Sequence, residues 1–451
     1  MPPYVRQSSV PLSPLSVRRL PPIAKAFWFV LLAVVARLTV FARRRSGGNF
    51  ASVDASAGAE VILVLLSLLL VVQSCRVPVI LGKRNRGGVF VFTLALGLGV
   101  LSSIWSPLPA YSGYRAVSVT SQFLAVMVAL SYEPDFLRAE WRFLQVACAV
   151  LVMQMISLGG LIGFLRGPLL HNNTLTNSAA MAACYCLAEA LSPVASTRRK
   201  RALRIVGIGA LAMVVLGTSS GSNVALLVGM LCATLLVRRP GLFALLAVIG
   251  IAGYLFLQME VIQDVLFPGK TLEQIRTMRG RTGLWAMYLE RAMDHLWFGE
   301  GYAASVRLAR VYSTNTHNSL ISFLLGTGVV GTLLYLLAFA KLILHTWSAA
   351  MRRVPGAVGV TAGLVAGLTN SMSKGFLGGT YYPETLVFFA LFGLAALHLG
   401  QGRVASRWQA TWVRRMPDPR LAGRTGPVPI PTMNTSSRLP ESPAHARSVR
   451  P

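Results

Sequence analysis

Acidic residues are scarce in this chain. Its 451 residues hold 15 Asp plus Glu against 43 Lys plus Arg, and charged residues of both signs make up only 13% of it. A soluble globular protein carries roughly 25%, so an ordinary water-soluble domain is excluded. Cysteine is thin as well. Cys75, Cys148, Cys184, Cys186 and Cys232 fall within or at the edges of apolar stretches and read as buried free thiols. Cys184 and Cys186 lie two apart on a helix and point to different faces, so neither a disulfide nor a metal pair is indicated. No set of His, Asp or Glu has metal-ligand spacing. The closest approach to a phosphate loop, PGKT at 268–271, has Asp264 where the first glycine belongs. No repeat of solenoid period is present. No cofactor and no metal are expected.

Apolar residues dominate instead, at 54%. They come in blocks of roughly 17 to 25, the length a helix needs to cross about 30 Å of hydrocarbon. The blocks centre on 24–41, 58–75, 88–105, 115–131, 141–164, 178–193, 205–218, 222–237, 242–258, 318–345, 355–373 and 384–401. The expected fold is all-α: a polytopic membrane helical bundle of about twelve transmembrane helices.

A net charge of +28 would suggest a nucleic-acid partner in a soluble protein. Its placement argues otherwise, and no nucleic acid is expected. Connectors at 76–88, 196–204, 238–240 and 351–353 are basic, whereas SPLPAYSG, the turn at 219–222 and the 374–383 loop carry a single lysine among them. The positive-inside rule puts the basic set in the cytoplasm, and both termini with it. Residues 1–22 then form a basic cytoplasmic segment, 23–258 the first nine spans, 259–317 an extracytoplasmic loop, 318–401 the last three spans, and 402–451 a basic disordered cytoplasmic tail near anionic lipid headgroups. The first block resists this topology: it contains Lys25 and Arg37, and ARRRSGGN follows it on the outer side. It reads as a crossing, an interfacial helix or an uncleaved start segment, without a small-residue cleavage site.

Residues 259–317 are the long polar stretch between spans, and connections beyond about 15 residues usually carry function. RTGLWAMYLERAMDHLWFGEG places Trp285, Leu289, Ala292 and Leu296 at helical spacing, an amphipathic helix at the outer surface stopped by Gly299 and Gly301. Arg276, Arg279, Arg281, Arg291, Arg307 and Arg310 crowd the same segment. Arginine suits bidentate contacts to phosphate oxygens, and a cluster kept outside defies the inward bias of arginine. Lipid headgroups or Glu273, Glu290 and Glu300 are the competing partners for any one of them. His317 stands in TNTHNS, where Thr314, Asn315, Thr316 and Asn318 suit a helix cap. A neutral imidazole there could equally hold or take the proton of a sugar hydroxyl.

RGRTGLWAMYLERAMDHLWFGEGYA, followed by THNSLISFLLGTGVVGTLLYLLAF, resembles the bacterial O-antigen ligase and polymerase superfamily, which includes exopolysaccharide polymerases. The resemblance is carried by Gly280 and Arg281, Trp285, Phe298 to Gly301, His317 with Asn318, and Gly328 with Gly331. It is most specific over 279–340. Asn177 in LTNSAAMAA is similar to an asparagine of the family ahead of an alanine-rich span, and GTSSGSNVALL at 217–227 to a Ser-Arg turn. Two positions depart: Asn223 replaces the arginine of that turn, which puts one cationic contact to substrate in doubt, and Leu296 replaces the proline before Phe-Gly.

The resemblance implies a metal-independent inverting glycosyltransferase at the outer face of the bacterial cytoplasmic membrane, taking a glycan from undecaprenyl diphosphate. The acceptor hydroxyl attacks the anomeric carbon and the lipid diphosphate leaves. Arg281 and Arg279 are assigned to the diphosphate, with Arg307 and Arg310 as alternates; His317 orients or deprotonates the acceptor, and Asn318 or Tyr302 supports it, with Asn177 also at the substrate. The acceptor is another lipid-linked glycan for a polymerase or lipid A core for a ligase. Polymerase is the expectation, because the loop is modest and no acceptor-binding domain follows the last span; a protein-glycosylating member is a third reading. Further partners are membrane lipids and polysaccharide export or chain-length proteins. A paired-carboxylate glycosidase is disfavoured, because Glu290 and Asp294 sit on one helix with nothing to place them across a sugar. A transporter of an anionic lipid or solute is the reading from another class. Transport pathways show ionisable groups in mid-membrane, whereas Glu60, Glu189, Lys341 and His345 lie toward span ends.

Overall fold

In hydrocarbon every backbone N–H and C=O must be bonded within its own segment, so long apolar stretches without internal proline run as helices. The computed structural model describes residues 21–40, 55–82, 87–158, 173–217, 219–256, 281–304, 316–377 and 382–399, and the regular structure among them is helical throughout. The elements are α1 (Pro22–Thr39), α2 (Ala55–Ser74), α3 (Val77–Gly82), α4 (Gly87–Leu101), α5 (Pro109–Ser131), α6 (Phe136–Ser157), α7 (Asn173–Leu191), α8 (Thr197–Leu216), α9 (Ser220–Val237), α10 (Pro240–Phe256), α11 (Arg281–Asp294), α12 (Ser319–Met351), α13 (Ala357–Ser371) and α14 (Pro383–Gly393, continued by Leu394–His398). Proline opens α1, α5, α10 and α14, where its missing N–H would have had no helical partner anyway.

Among the described residues six helices are long and apolar enough to cross a membrane: α1, α2, α5, α6, α9 and α12. Each of the twelve apolar blocks overlaps a helix, but α4, α10, α13 and α14 are short by the same measure, and α8 begins with TRRKR. The chain is a multi-pass membrane protein. Leu65, Leu69 and Val72 on α2 and Ile205 and Ile208 on α8 face outward from the bundle, a surface that acyl chains can cover and water would not.

α7 is the hub. α8, α9 and α13 pack along it, and a stripe of Gly359, Gly363 and Gly367 lets α13 approach Tyr185, Met181 and Phe388. These contacts run α13 antiparallel to α7, while Ser222 meeting Asn177 runs α9 parallel to it. A second core layer stacks Phe92 edge-on against Phe123 at 4.9 Å and Phe339 at 5.5 Å, tying α4 and α5 to α12.

The two ends of the bundle differ. At one end lie Arg142, Arg198, Arg238, Arg352 and their neighbours, and inside it Arg199 joins three helices: it donates to Glu140 at 2.8 and 2.6 Å and pairs with Glu189 at 3.0 Å. Glu189 also accepts from the backbone N–H of Gly356 at 2.8 Å. At the other end Arg37 lies 3.7 Å from Glu60, which is also 3.5 Å from Arg115. That pairing accounts for the cation at the far end of the first block. Two cysteine expectations need correction: Cys184 and Cys186 are buried, but Cys75, in the connector after α2, and Cys148, on α6, are exposed.

Candidate active site

The end opposite the Arg199 network gathers the first turns of α7, α9, α11, α12 and α14 around the last turn of α13. The contacts are specific. Arg281 donates from Nη1 to the Ser373 carbonyl at 2.7 Å, Trp285 from Nε1 to the Thr316 carbonyl at 2.8 Å, and Leu377 N–H to Ser319 Oγ at 3.2 Å. Ser222 Oγ donates to Asn177 Oδ1 at 2.7 Å. Lys374 reaches both Thr174 Oγ1 and the Glu384 carboxylate. Helix N-termini carry partial positive charge and unpaired N–H groups, which add to the charge of Arg281 here, while Lys374 is matched by Glu384.

α11 is amphipathic as its pattern requires, with a shifted buried face. Tyr288 and Ala292 are buried against Ile321 and Leu325 of α12, flanked by Leu284 and Trp285, while Leu289 is exposed and Leu296 half-buried. The expected stripe through 285, 289, 292 and 296 is therefore rotated toward 284, 285, 288 and 292, because Trp285 is drawn to Thr316. Arg291 takes the competing partner foreseen for such arginines: it donates to Glu300 at 2.8 and 2.5 Å.

The Phe-Gly-Glu-Gly turn after α11 inserts into a break in α12. Gly328 departs from helical geometry with φ 65° and ψ −166°, which frees bonding groups that the turn fills. Glu300 N–H donates to the Leu325 carbonyl at 2.8 Å, and Val329 N–H donates to the Leu296 carbonyl at 2.8 Å. The Leu296 carbonyl would survive a proline there, so that departure costs the motif nothing in bonding. Gly299 has φ 69°, and a Cβ on it would sit 2.5 Å from Gly326 C; no other residue fits so close a crossing.

This insertion fixes the entry to α12 and with it His317. Asn318 is the N-cap of α12, its Oδ1 accepting from Leu320 N–H at 2.9 Å and Ile321 N–H at 3.3 Å. His317 stands just before it, half-buried, with φ 53°. A bulky residue in the left-handed region costs roughly 1–3 kcal/mol, and such strain clusters at functional sites. Burial and the nearby charges of Arg281 and Lys374 push the imidazole down to about 4, so at neutral pH it is uncharged and able to accept a proton.

Of the expected site residues, Arg281, His317 and Asn177 come together at this end. Asn318 is there too, its side-chain oxygen occupied by the cap. Tyr302 goes elsewhere: it is fully buried, its ring is 6.3 Å from Phe323 and a Cβ on Gly99 would meet it at 2.9 Å, so it plugs the core between α4 and α12. What the structure gives Tyr302 is packing, with its backbone N–H donating to Ser102 Oγ at 2.9 Å. Asn223 is exposed beside buried Ser222. Arg276, Arg279, Arg307 and Arg310 lie outside the described residues, as do the tail from 402 and the connector at 41–54. Lys374 and Glu384 were missed. The available signal was that single lysine in the otherwise uncharged connectors.

Residues 205–336 match a family model described as O-antigen ligase, a segment that runs from α8 through α11 and His317 into α12. Over that segment the chain is similar to the O-antigen ligase family, in line with the resemblance carried by Arg281, His317 and the glycines of 299–331. No curated protein matches it. The O-antigen ligase segment supplies Ser222, Arg281, the inserted turn and His317, while Asn177, Lys374 and Glu384 come from outside it.

Proposed function

We propose that the protein transfers a glycan from undecaprenyl diphosphate to an acceptor hydroxyl at the outer face of the cytoplasmic membrane, acting as a polymerase of a surface or exopolysaccharide. The observation that carries this is the meeting of Arg281 and uncharged His317 where five helix N-termini converge. Such an end suits an anion whose charge grows as the bond to it breaks. Oriented donors in a partly dry site stabilise that charge by several kcal/mol. His317 takes or holds the proton of the attacking hydroxyl, and inversion follows from in-line displacement of the diphosphate. Arg279, Arg307 and Arg310 are further candidates for the donor, and Asn177 for its sugar. The outer location follows from the opposite, basic end under the positive-inside rule. Membrane lipids surround the bundle, and export or chain-length proteins would receive the product.

The test is a deletion strain whose lipid-linked and surface glycans are extracted and sized. Accumulated single repeat units without long chains mean polymerase; long chains retained on undecaprenyl diphosphate above bare lipid A core mean ligase. His317→Ala and Arg281→Ala, present in the membrane at normal level, are expected to leave the defect uncorrected. Normal glycan from both would remove these residues from the site.

A further inference from the structure

Lys374 lies outside the O-antigen ligase segment and has no part in the chemistry above. It follows the last turn of α13, where its N–H donates to the Asn370 carbonyl at 3.0 Å. Its ammonium spans to Glu384 in the first turn of α14 and to Thr174 in the first turn of α7, with the Tyr382 ring centroid 5.1 Å away. Glu384 is fully buried with Asn177 beside it, while Lys374 keeps 12% of its side chain exposed. The layer below is dry: a Cβ on Gly367 would meet Phe388 and Met181. Just above that layer Asn370, fully buried, makes no hydrogen bond through either amide atom among the described residues.

As a device for stability alone this arrangement is poor. Removing both charges from water costs several kcal/mol per ion, and an apolar pair of like volume usually serves as well or better. An orphaned amide beside it adds a further cost of about 1–3 kcal/mol. Both make sense if the group is completed by something polar that enters the site. Lys374 acts on His317 together with Arg281, so its charge reaches the same space.

We propose that Lys374 is a second phosphate-binding residue of the site and that Glu384 is a positioning residue holding its ammonium at the rim until an anion takes it over. The inference rests on the diphosphate-donor reading. In the empty site the pair is neutral overall, so no lone ammonium is left buried. A diphosphate competes with the carboxylate for Nζ and draws it toward Arg281. When the diphosphate leaves, Glu384 and Thr174 recapture the lysine, which favours release.

The experiment measures the affinity of undecaprenyl diphosphate for the purified full-length protein in lipid nanodiscs, with thermal unfolding as the check on folding. Lys374→Met is expected to weaken binding about 10- to 100-fold, the range for losing a hydrogen bond to a charged group, and Lys374→Arg to restore most of it. Glu384→Gln is expected to bind severalfold more tightly than wild type, since no carboxylate competes. The double variant Lys374→Met/Glu384→Gln leaves no buried charge unpaired. It should unfold near the wild-type temperature and still bind as weakly as Lys374→Met. Wild-type affinity in the double variant would overturn the phosphate role, and unchanged or weaker affinity in Glu384→Gln would overturn the holding role; neither touches the donor reading. No binding by wild type would overturn the donor reading itself, and this inference with it.

Discussion

The imidazole of His317 carries a prediction of its own. In the free protein burial, and then the charges of Arg281 and Lys374, keep it neutral down to about pH 4, and kcat/KM reports groups of the free enzyme. The acidic limb of kcat/KM that depends on His317 is therefore expected near pH 4, with activity lost as pH falls through it and the ring protonates. An ordinary histidine would place that limb near 6.5. Arg281→Gln removes one of the two charges that disfavour the imidazolium, so the limb of its residual activity should move upward. A limb at 6.5 in the unmodified protein would mean that the ring does not face those cations. The same residue shows how far sequence reasoning reached: the TNTHNS context supports a cap and a catalytic role equally, and the fold assigns the cap to Asn318 and sets His317 under the influence of Arg281 and Lys374. Lys374 was not legible as a site residue, because what marks it is its reach to Thr174 and Glu384, 200 and 10 positions away in the chain.

At the scale of elements, the decisive unit is the crossing between the turn 298–301 and the break in α12. The glycines there were visible as a motif; the reason for them was not, since a helical reading of GTGVVG gives no hint that Gly328 leaves helical geometry. Gly328 holds φ 65° and ψ −166°, a region essentially reserved for glycine, and a Cβ on it would strike the Trp297 backbone. Gly328→Ala is expected to destabilise the protein by at least 1–3 kcal/mol, read as a drop in unfolding temperature and in the amount of protein reaching the membrane. Gly283→Ala is the control: its position on α11 has open space around the Cβ, and alanine favours a helix over glycine by roughly 1 kcal/mol. Comparable loss in both would show that the crossing is not the cause. The buried face of α11 illustrates a related limit. Periodicity identified an amphipathic helix, but Trp285 bonding to Thr316 rotates its inner stripe onto Tyr288, a choice made by a partner 31 residues away.

For the whole molecule, charge is segregated between the ends, and the basic end is locked by Arg199. Glu140 and Glu189 are both buried and both depend on it. Arg199→Met should therefore destabilise the protein by about 3–5 kcal/mol, as expected when one member of a buried ionic group is removed, whereas the exposed Arg352→Met should change little. Thermal unfolding of the two variants in the same detergent checks this; equal stability would mean that water or lipid already screens the carboxylates. The proposed active-site end lies at the opposite end of the bundle, and if it binds the donor as proposed it should keep that affinity in whatever fraction of Arg199→Met remains folded.

Composition and block length alone determined the fold class, because hydrocarbon leaves a chain with 54% apolar residues few options besides helices of bilayer length. They also determined the sidedness expected of its connectors, and the spaced Arg, Gly and His of 281–331 were enough to indicate the family. Tertiary structure decided which of those residues share a site. Arg281, His317, Asn177, Lys374 and Glu384 sit on separate helices, and their meeting depends on antiparallel packing of α13 against α7 and on a turn threaded into a broken helix. Those are contacts between distant segments, set by shape and by which backbone groups remain unbonded, and local pattern carries no record of them.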